Sequence, residues 1–98
     1  MFRPSSSGSR PALTDAAPGV VVYGTGWCAA TQRVRRYLDR LGVPYTYRDM
    51  ERDPSAASRV QWWTGGYASH PTIQIGGDIL VEPSLDEIDQ ALARNGLI

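Results

Sequence analysis

Short apolar runs and one strongly amphipathic segment divide this chain into alternating elements. Val20, Val21, Val22 and Tyr23 form a β-branched and aromatic run that Gly24 ends, the pattern of a strand buried on both faces. From Ala29 to Leu41 the period changes. Val34, Tyr37, Leu38 and Leu41 recur at helical spacing, while Arg33, Arg35, Arg36, Asp39 and Arg40 fill the other face, and Gly42 supplies the stop. Tyr45, Thr46 and Tyr47 predict a second strand introduced by Pro44. Asp53 followed by Pro54 combines an N-cap acceptor with a residue whose fixed φ and missing N–H suit a first helical turn. The helix that follows is expected to reach Trp63 or Thr64 and end at Gly65 and Gly66. Thr72 to Ile75 then lead into a turn at Gly76, Gly77 and Asp78, from which Ile79, Leu80 and Val81 return as the second arm of a hairpin. Ser84 and Glu87 have capping-box spacing, and Leu85, Ile88 and Leu92 line one face of a last helix closing near Asn95 and Gly96.

The order β-α-β-α-β-β-α suits an α/β fold with a four-stranded mixed sheet and helices on both faces: the β-α units favour parallel pairing and the hairpin adds an antiparallel pair. Residues before the first strand carry Pro4, Ser5, Ser6, Ser7, Gly8, Pro11 and Pro18 with little periodic apolar content, so residues 1–18 are expected to be a disordered leader and residues 19–98 one domain. A length of 98 residues with 42% apolar content supports one core and not two. Ten basic and ten acidic residues cancel, and every basic residue is Arg, so the totals give no nucleic-acid footprint. No apolar run is long enough to cross a bilayer and no secretory signal opens the chain, so a cytoplasmic protein with no membrane partner is expected. With a single cysteine no intrachain disulfide can form, and redox chemistry requires a second molecule.

Cys28 stands between a buried strand and a helix start, in Gly24-Thr25-Gly26-Trp27-Cys28-Ala29-Ala30-Thr31. The thiolate is the attacking species, and unpaired N–H groups with the positive end of the helix dipole favour it, so the thiol pKa is expected below the free value of about 8.5. A buried, inert cysteine is the alternative, but a strand-to-helix loop hides a side chain poorly. In two-cysteine oxidoreductases a resolving thiol sits three residues further on. Thr31 occupies that position here, so an outside thiol must resolve any mixed disulfide on Cys28. Thr31 itself is either a hydrogen-bond donor to the sulfur or an ordinary solvent-facing helix residue.

From Val20 to Leu97 the sequence resembles the glutaredoxins of the thioredoxin-like superfamily, and within them the mycoredoxins. Three segments carry the likeness: Trp27-Cys28 after a Val-rich strand, Gly65-Gly66-Tyr67-Ala68-Ser69-His70-Pro71 leading into Thr72-Ile73-Gln74-Ile75, and Glu82-Pro83-Ser84-Leu85-Asp86-Glu87-Ile88. The resemblance implies a thioredoxin-like fold, a cis Pro71 facing Cys28, and a groove for a low-molecular-weight thiol lined by Trp27, His70, Pro71, Ser84, Leu85 and Asp86. His70 stands where the family usually has Val. Its ring either tunes the thiolate or points to solvent with only its backbone in use. Ser84 and Glu87 serve as helix caps, and Asp86 either pairs with a ligand amine or strengthens the helix start. Thr25 and Ala68 replace basic residues common in the family, which weakens a glutathione assignment. Of Trp62 and Trp63, at least one is expected in the core and the other at the groove wall.

The function this implies is monothiol thiol–disulfide exchange: Cys28 releases a protein from its mixed disulfide with a small thiol. Mycothiol, glutathione or bacillithiol is the co-substrate, no tightly bound cofactor or metal is expected, and the protein is expected to act as a monomer. An iron–sulfur carrier is a second possibility, but it requires a dimer, and Ala29-Ala30-Thr31 does not match the Gly-Phe-Ser of those carriers. A non-catalytic thioredoxin-fold binding module is a third.

Overall fold

The computed structural model describes residues 19–68 and 70–98, so the leader expected over residues 1–18 lies outside the described residues. Among the described residues seven elements follow one another: β1 Val20–Gly24, α1 Ala29–Leu41, β2 Thr46–Asp49, α2 Pro54–Thr64, β3 Thr72–Ile75, β4 Asp78–Val81 and α3 Leu85–Arg94. They build a four-stranded sheet of order β2-β1-β3-β4, parallel between β1 and β2 and antiparallel across β1/β3 and β3/β4. The mixed four-stranded sheet is the one expected from the element order, and its thioredoxin-like architecture is the one the family resemblance implies.

Two apolar clusters explain why β1 reads as an unbroken apolar run. Val20 and Val22 pack with Val34 and Leu38 of α1 and Ile88, Ala91 and Leu92 of α3. Tyr23, and Val21 less completely, face Met50 and Ala56 and Val60 of α2 on the opposite side. The central strand therefore has no solvent face to carry polar residues.

Caps fix the helix ends. Gly42 and Gly65 close α1 and α2 in the left-handed region, at φ 72° and 84°. Asp53 accepts from the N–H groups of Ser55 and Ala56, with Pro54 at the first helical position. Ser84 and Glu87 form the full reciprocal box. Two boundaries differ from the pattern. β2 runs Thr46–Asp49 and not Tyr45–Tyr47, because its register is set by pairing Thr46 with Val21 through Asp49 with Gly24, and an edge strand tolerates the charges of Arg48 and Asp49. Asp78 belongs to β4, paired with Ile75, which leaves Gly76-Gly77 as a two-residue turn.

Candidate active site

The β1–α1 junction lies at one end of the sheet, where chain direction brings the N-terminus of α1 opposite the loop that enters β3. Cys28 is the N-cap residue of α1, half-buried, with its N–H on the Thr25 carbonyl at 3.3 Å and its own carbonyl accepting from Gln32 at 3.1 Å. Gln32 Nε2 reaches back to the Gly26 carbonyl at 3.0 Å, so the first turn of α1 holds the loop that carries the cysteine. An N-cap side chain normally brings an oxygen to the second and third helical N–H groups. Here the cap residue carries a sulfur, which makes no capping hydrogen bond of ordinary geometry but lies near enough to the N–H groups of Ala30 and Thr31 for both to favour its anion.

Burial pushes the Cys28 thiol up, but four hydrogen-bonding groups outweigh it: the Thr31 hydroxyl, the Thr31 N–H, the His70 ring and the Ala30 N–H together bring its pKa down to about 7. Two of these groups have few other options. Thr31 is fully buried, and Thr31 Oγ1 and His70 Nδ1 are both buried atoms with no hydrogen-bond partner at ordinary length. A buried polar atom left unpaired is costly, and an anionic sulfur is an acceptor that draws such donors in. Thr31 is therefore not the solvent-facing residue that sequence left open. Nor does the His70 ring point to solvent: it is half-buried and stands edge-on to Trp27, with ring centroids 5.1 Å apart and an interplanar angle of 80°.

Trp27 is 67% exposed, its indole N–H held by Glu51 Oε2 at 2.8 Å. The His70–Pro71 peptide bond is cis. A cavity of about 210 Å³ beside Cys28 is lined by Ala30, Arg33, Val34, His70, Pro71, Glu82 and Pro83. Of the residues expected at the groove, His70 and Pro71 line this cavity. Ser84, Leu85 and Asp86 do not: the Ser84 N–H donates to Glu87 Oε1 at 2.7 Å, Leu85 packs against the core, and Asp86 is exposed on the first turn of α3. The N–H groups of Leu85 and Asp86, first in their helix, have no partner within it. Of the tryptophan pair, Trp63 packs against the core as expected and Trp62 departs from expectation. Trp63 is half-buried, edge-on to Tyr23 at 5.4 Å, whereas Trp62 is 85% exposed, because α2 uses Ala56 and Val60 for its core contact.

Three residues of the site escaped the sequence reading. Gly24 is one: a Cβ there would lie 2.5 Å from Thr31 Cγ2 and Oγ1, so the glycine is what lets the threonine sit under the sulfur. Glu82 is another, at φ 50° with its N–H on the Pro71 carbonyl at 2.9 Å, tying the end of β4 to the proline loop. Arg33 is the third, read only as part of a polar helix face. Its position five residues after Cys28 was the available signal.

A strand-to-helix cysteine, a polar donor behind it and a cis-proline loop across from it define a thiol-exchange site on a thioredoxin-like fold. The glutaredoxin family model matches residues 20–80, more than half the chain, and the protein belongs to the glutaredoxin family. That family comprises thiol–disulfide oxidoreductases that act on small-thiol and thiolated-protein disulfides with glutathione-type thiols as co-substrate. A search of curated proteins returned no match. Among solved structures, the thioredoxin-like protein BC3987 is similar at 26% identity and TM-score 0.68, over 74% of this chain and 99% of that one. A glutaredoxin from Archaeoglobus fulgidus shares 18% identity with TM-score 0.69, covering 79% and 87%. A buckwheat glutaredoxin solved as its glutathione complex shares 23% identity with TM-score 0.59, covering 81% and 71%. At 18% and 23% identity these two show the shared fold. Among the described residues, no helix is long and apolar enough to cross a membrane.

Proposed function

We infer that this glutaredoxin works through one thiol, Cys28, and removes a small thiol from thiolated proteins in the manner of the mycoredoxins. The observation that carries the reading is the site of the chain's only cysteine: half-buried at the α1 N-cap, with a pKa of about 7, and with Thr31 where a resolving cysteine would stand. The Cys28 thiolate attacks the small-thiol sulfur of a protein mixed disulfide. That S–S bond breaks, the protein sulfur leaves with the electron pair and takes a proton, and Cys28 now carries the small thiol. A second small thiol, as thiolate, attacks the sulfur of that adduct, releasing the Cys28 thiolate and a small-molecule disulfide. In sum the mixed disulfide and one free small thiol become a protein thiol and one small-molecule disulfide, so the balance closes without a second cysteine in the chain.

In this reading Thr31 and His70 hold the anion, and Trp27, His70 and Pro71 flank the adduct, with the first turn of α3 at Ser84, Leu85 and Asp86 beyond it. The co-substrate is mycothiol, glutathione or bacillithiol, the protein acts as a monomer, and a reducing cytoplasm supplies the thiol. The test is turnover of a peptide carrying each small thiol in turn, with wild type and Cys28→Ser. Wild type is expected to release peptide with the small thiol as reductant, with an adduct mass on Cys28 that identifies the preferred thiol. Equal release by Cys28→Ser would sink the reading.

A further inference from the structure

The amphipathic pattern of α1 leaves one stripe outside the core that touches the thiol site only at Arg33 and continues beyond it. Ala29, Arg33, Arg36 and Arg40 recur at intervals of four, three and four residues, so they share one face of the helix, and all four are exposed. The stripe starts next to Cys28 and runs away from it for roughly 16 Å. None of its three arginines forms an ion pair among the described residues, where the ion pairs are Arg48 with Asp53 and Arg94 with Asp78. The near end is concave: Ala29, Ala30, Arg33 and Arg36 line a depression of about 290 Å³, open because both residues after the cysteine are alanine. The chain as a whole is neutral, so this one-signed row is a local feature of the surface beside the sulfur.

We propose that the Ala29–Arg33–Arg36–Arg40 face of α1 docks an acidic segment of the protein whose mixed disulfide is reduced at Cys28. The inference rests on the single-thiol reading above. Charge and length choose the occupant. A small thiol attached at the sulfur reaches the depression at Arg33, but Arg40 lies a further two turns along, where only a continuous chain follows. About five residues of extended polypeptide span the stripe. Carboxylates on alternate residues of such a segment recur about every 7 Å, close to the turn-by-turn spacing of the arginines and within the play of their long side chains. Exposed charge pairs of this kind speed encounter more than they tighten the final complex, and salt screens them.

The experiment compares two peptides, each with a single cysteine in mixed disulfide with glutathione, flanked at alternate positions by Asp and Glu or by Asn and Gln. Wild type is expected to deglutathionylate the acidic peptide with a kcat/KM about tenfold higher at low salt, the difference fading at roughly 1 M salt. R36Q/R40Q should lower that preference to less than about twofold, and R36K/R40K should keep it, since both retain the helix. Equal rates for the two peptides in wild type, or an undiminished preference in R36Q/R40Q, would overturn the docking face while leaving single-thiol exchange standing. If neither peptide turns over with glutathione, nor with mycothiol or bacillithiol in its place, the single-thiol reading falls. The docking face is then decided by fluorescence anisotropy of the labelled, disulfide-free acidic peptide: tighter binding to wild type than to R36Q/R40Q supports it, and equal binding overturns it.

Discussion

At the scale of single residues, the threonine that Gly24 makes room for is the main group that lowers the Cys28 pKa. Thr31→Val keeps the shape of the buried side chain and removes its hydroxyl, the largest of the hydrogen-bonding contributions to the thiolate. Its thiol pKa is expected to rise from about 7 toward the free value of about 8.5, and a rise of about one pH unit lowers the thiolate fraction at neutral pH roughly fivefold. Alkylation rate against pH measures this directly. The same shift enters stability. Because the folded thiol ionises more readily than the unfolded one, the native thiolate's contribution is fully present above about pH 8.5 and is lost as pH falls through about 7. Denaturation of Cys28→Ser across that window should lack this component. Gly24→Ala attacks the same arrangement from the strand: its new Cβ meets Thr31, whose β-branched side chain has little freedom to turn away. A loss of roughly 1–3 kcal/mol is expected by chemical denaturation. Adding Thr31→Ala should recover most of it while leaving the thiol pKa high. A variant that is as stable as wild type would show that the helix can shift without cost.

Among the elements, α2 depends most on a single side chain. Asp53 caps its first turn through Oδ1, accepts from Arg48 Nε at 2.9 Å through Oδ2, and also takes the Ser55 hydroxyl. Ser55 first, then Arg48 and the Ala56 N–H, hold its carboxyl at about 2, below the ordinary value of about 3.9. Stability from this carboxylate is thus fully present above about pH 4 and lost as pH falls toward 2. Asp53→Asn keeps a capping oxygen and removes the charge, so its melting temperature should fall little and lose part of the acid dependence. Asp53→Ala removes both and should melt lower than Asp53→Asn at neutral pH. Identical melting of the two variants would mean that the cap contributes nothing beyond the charge. For α1 the sequence period was a sufficient guide, since its bounds at Ala29 and Leu41 coincide with the apolar repeat and Gly42. For β2 it was not, because Tyr45 to Tyr47 have strand propensity on their own but the strand is defined by its partner.

The whole molecule is closed where the hairpin meets the end of α3. Asp78 Oδ2 accepts from Arg94 Nε at 3.1 Å and Asn95 Nδ2 at 2.9 Å, and Gly76, at φ 58°, lies so close that a Cβ would stand 2.1 Å from Asn95 Oδ1. Gly76→Ala therefore combines a disfavoured backbone angle with a collision at a tertiary contact. It is expected to cost roughly 1–3 kcal/mol in a single cooperative transition with an unchanged denaturant slope. A separate early transition would instead mark the hairpin as an independent unit. The amino-acid order alone determined the succession of elements, the caps at Asp53 and Ser84, the strand-to-helix position of the cysteine and the lack of a resolving thiol, because each is local: a period, a cap spacing, a residue count. Only the tertiary structure decided that Thr31 lies buried, that the His70 ring stands against Trp27, and that Arg33 and Glu82 share a cavity with the proline loop. Those assignments depend on which faces meet when the sheet closes, and contacts between residues distant in the chain leave no periodic trace within either segment.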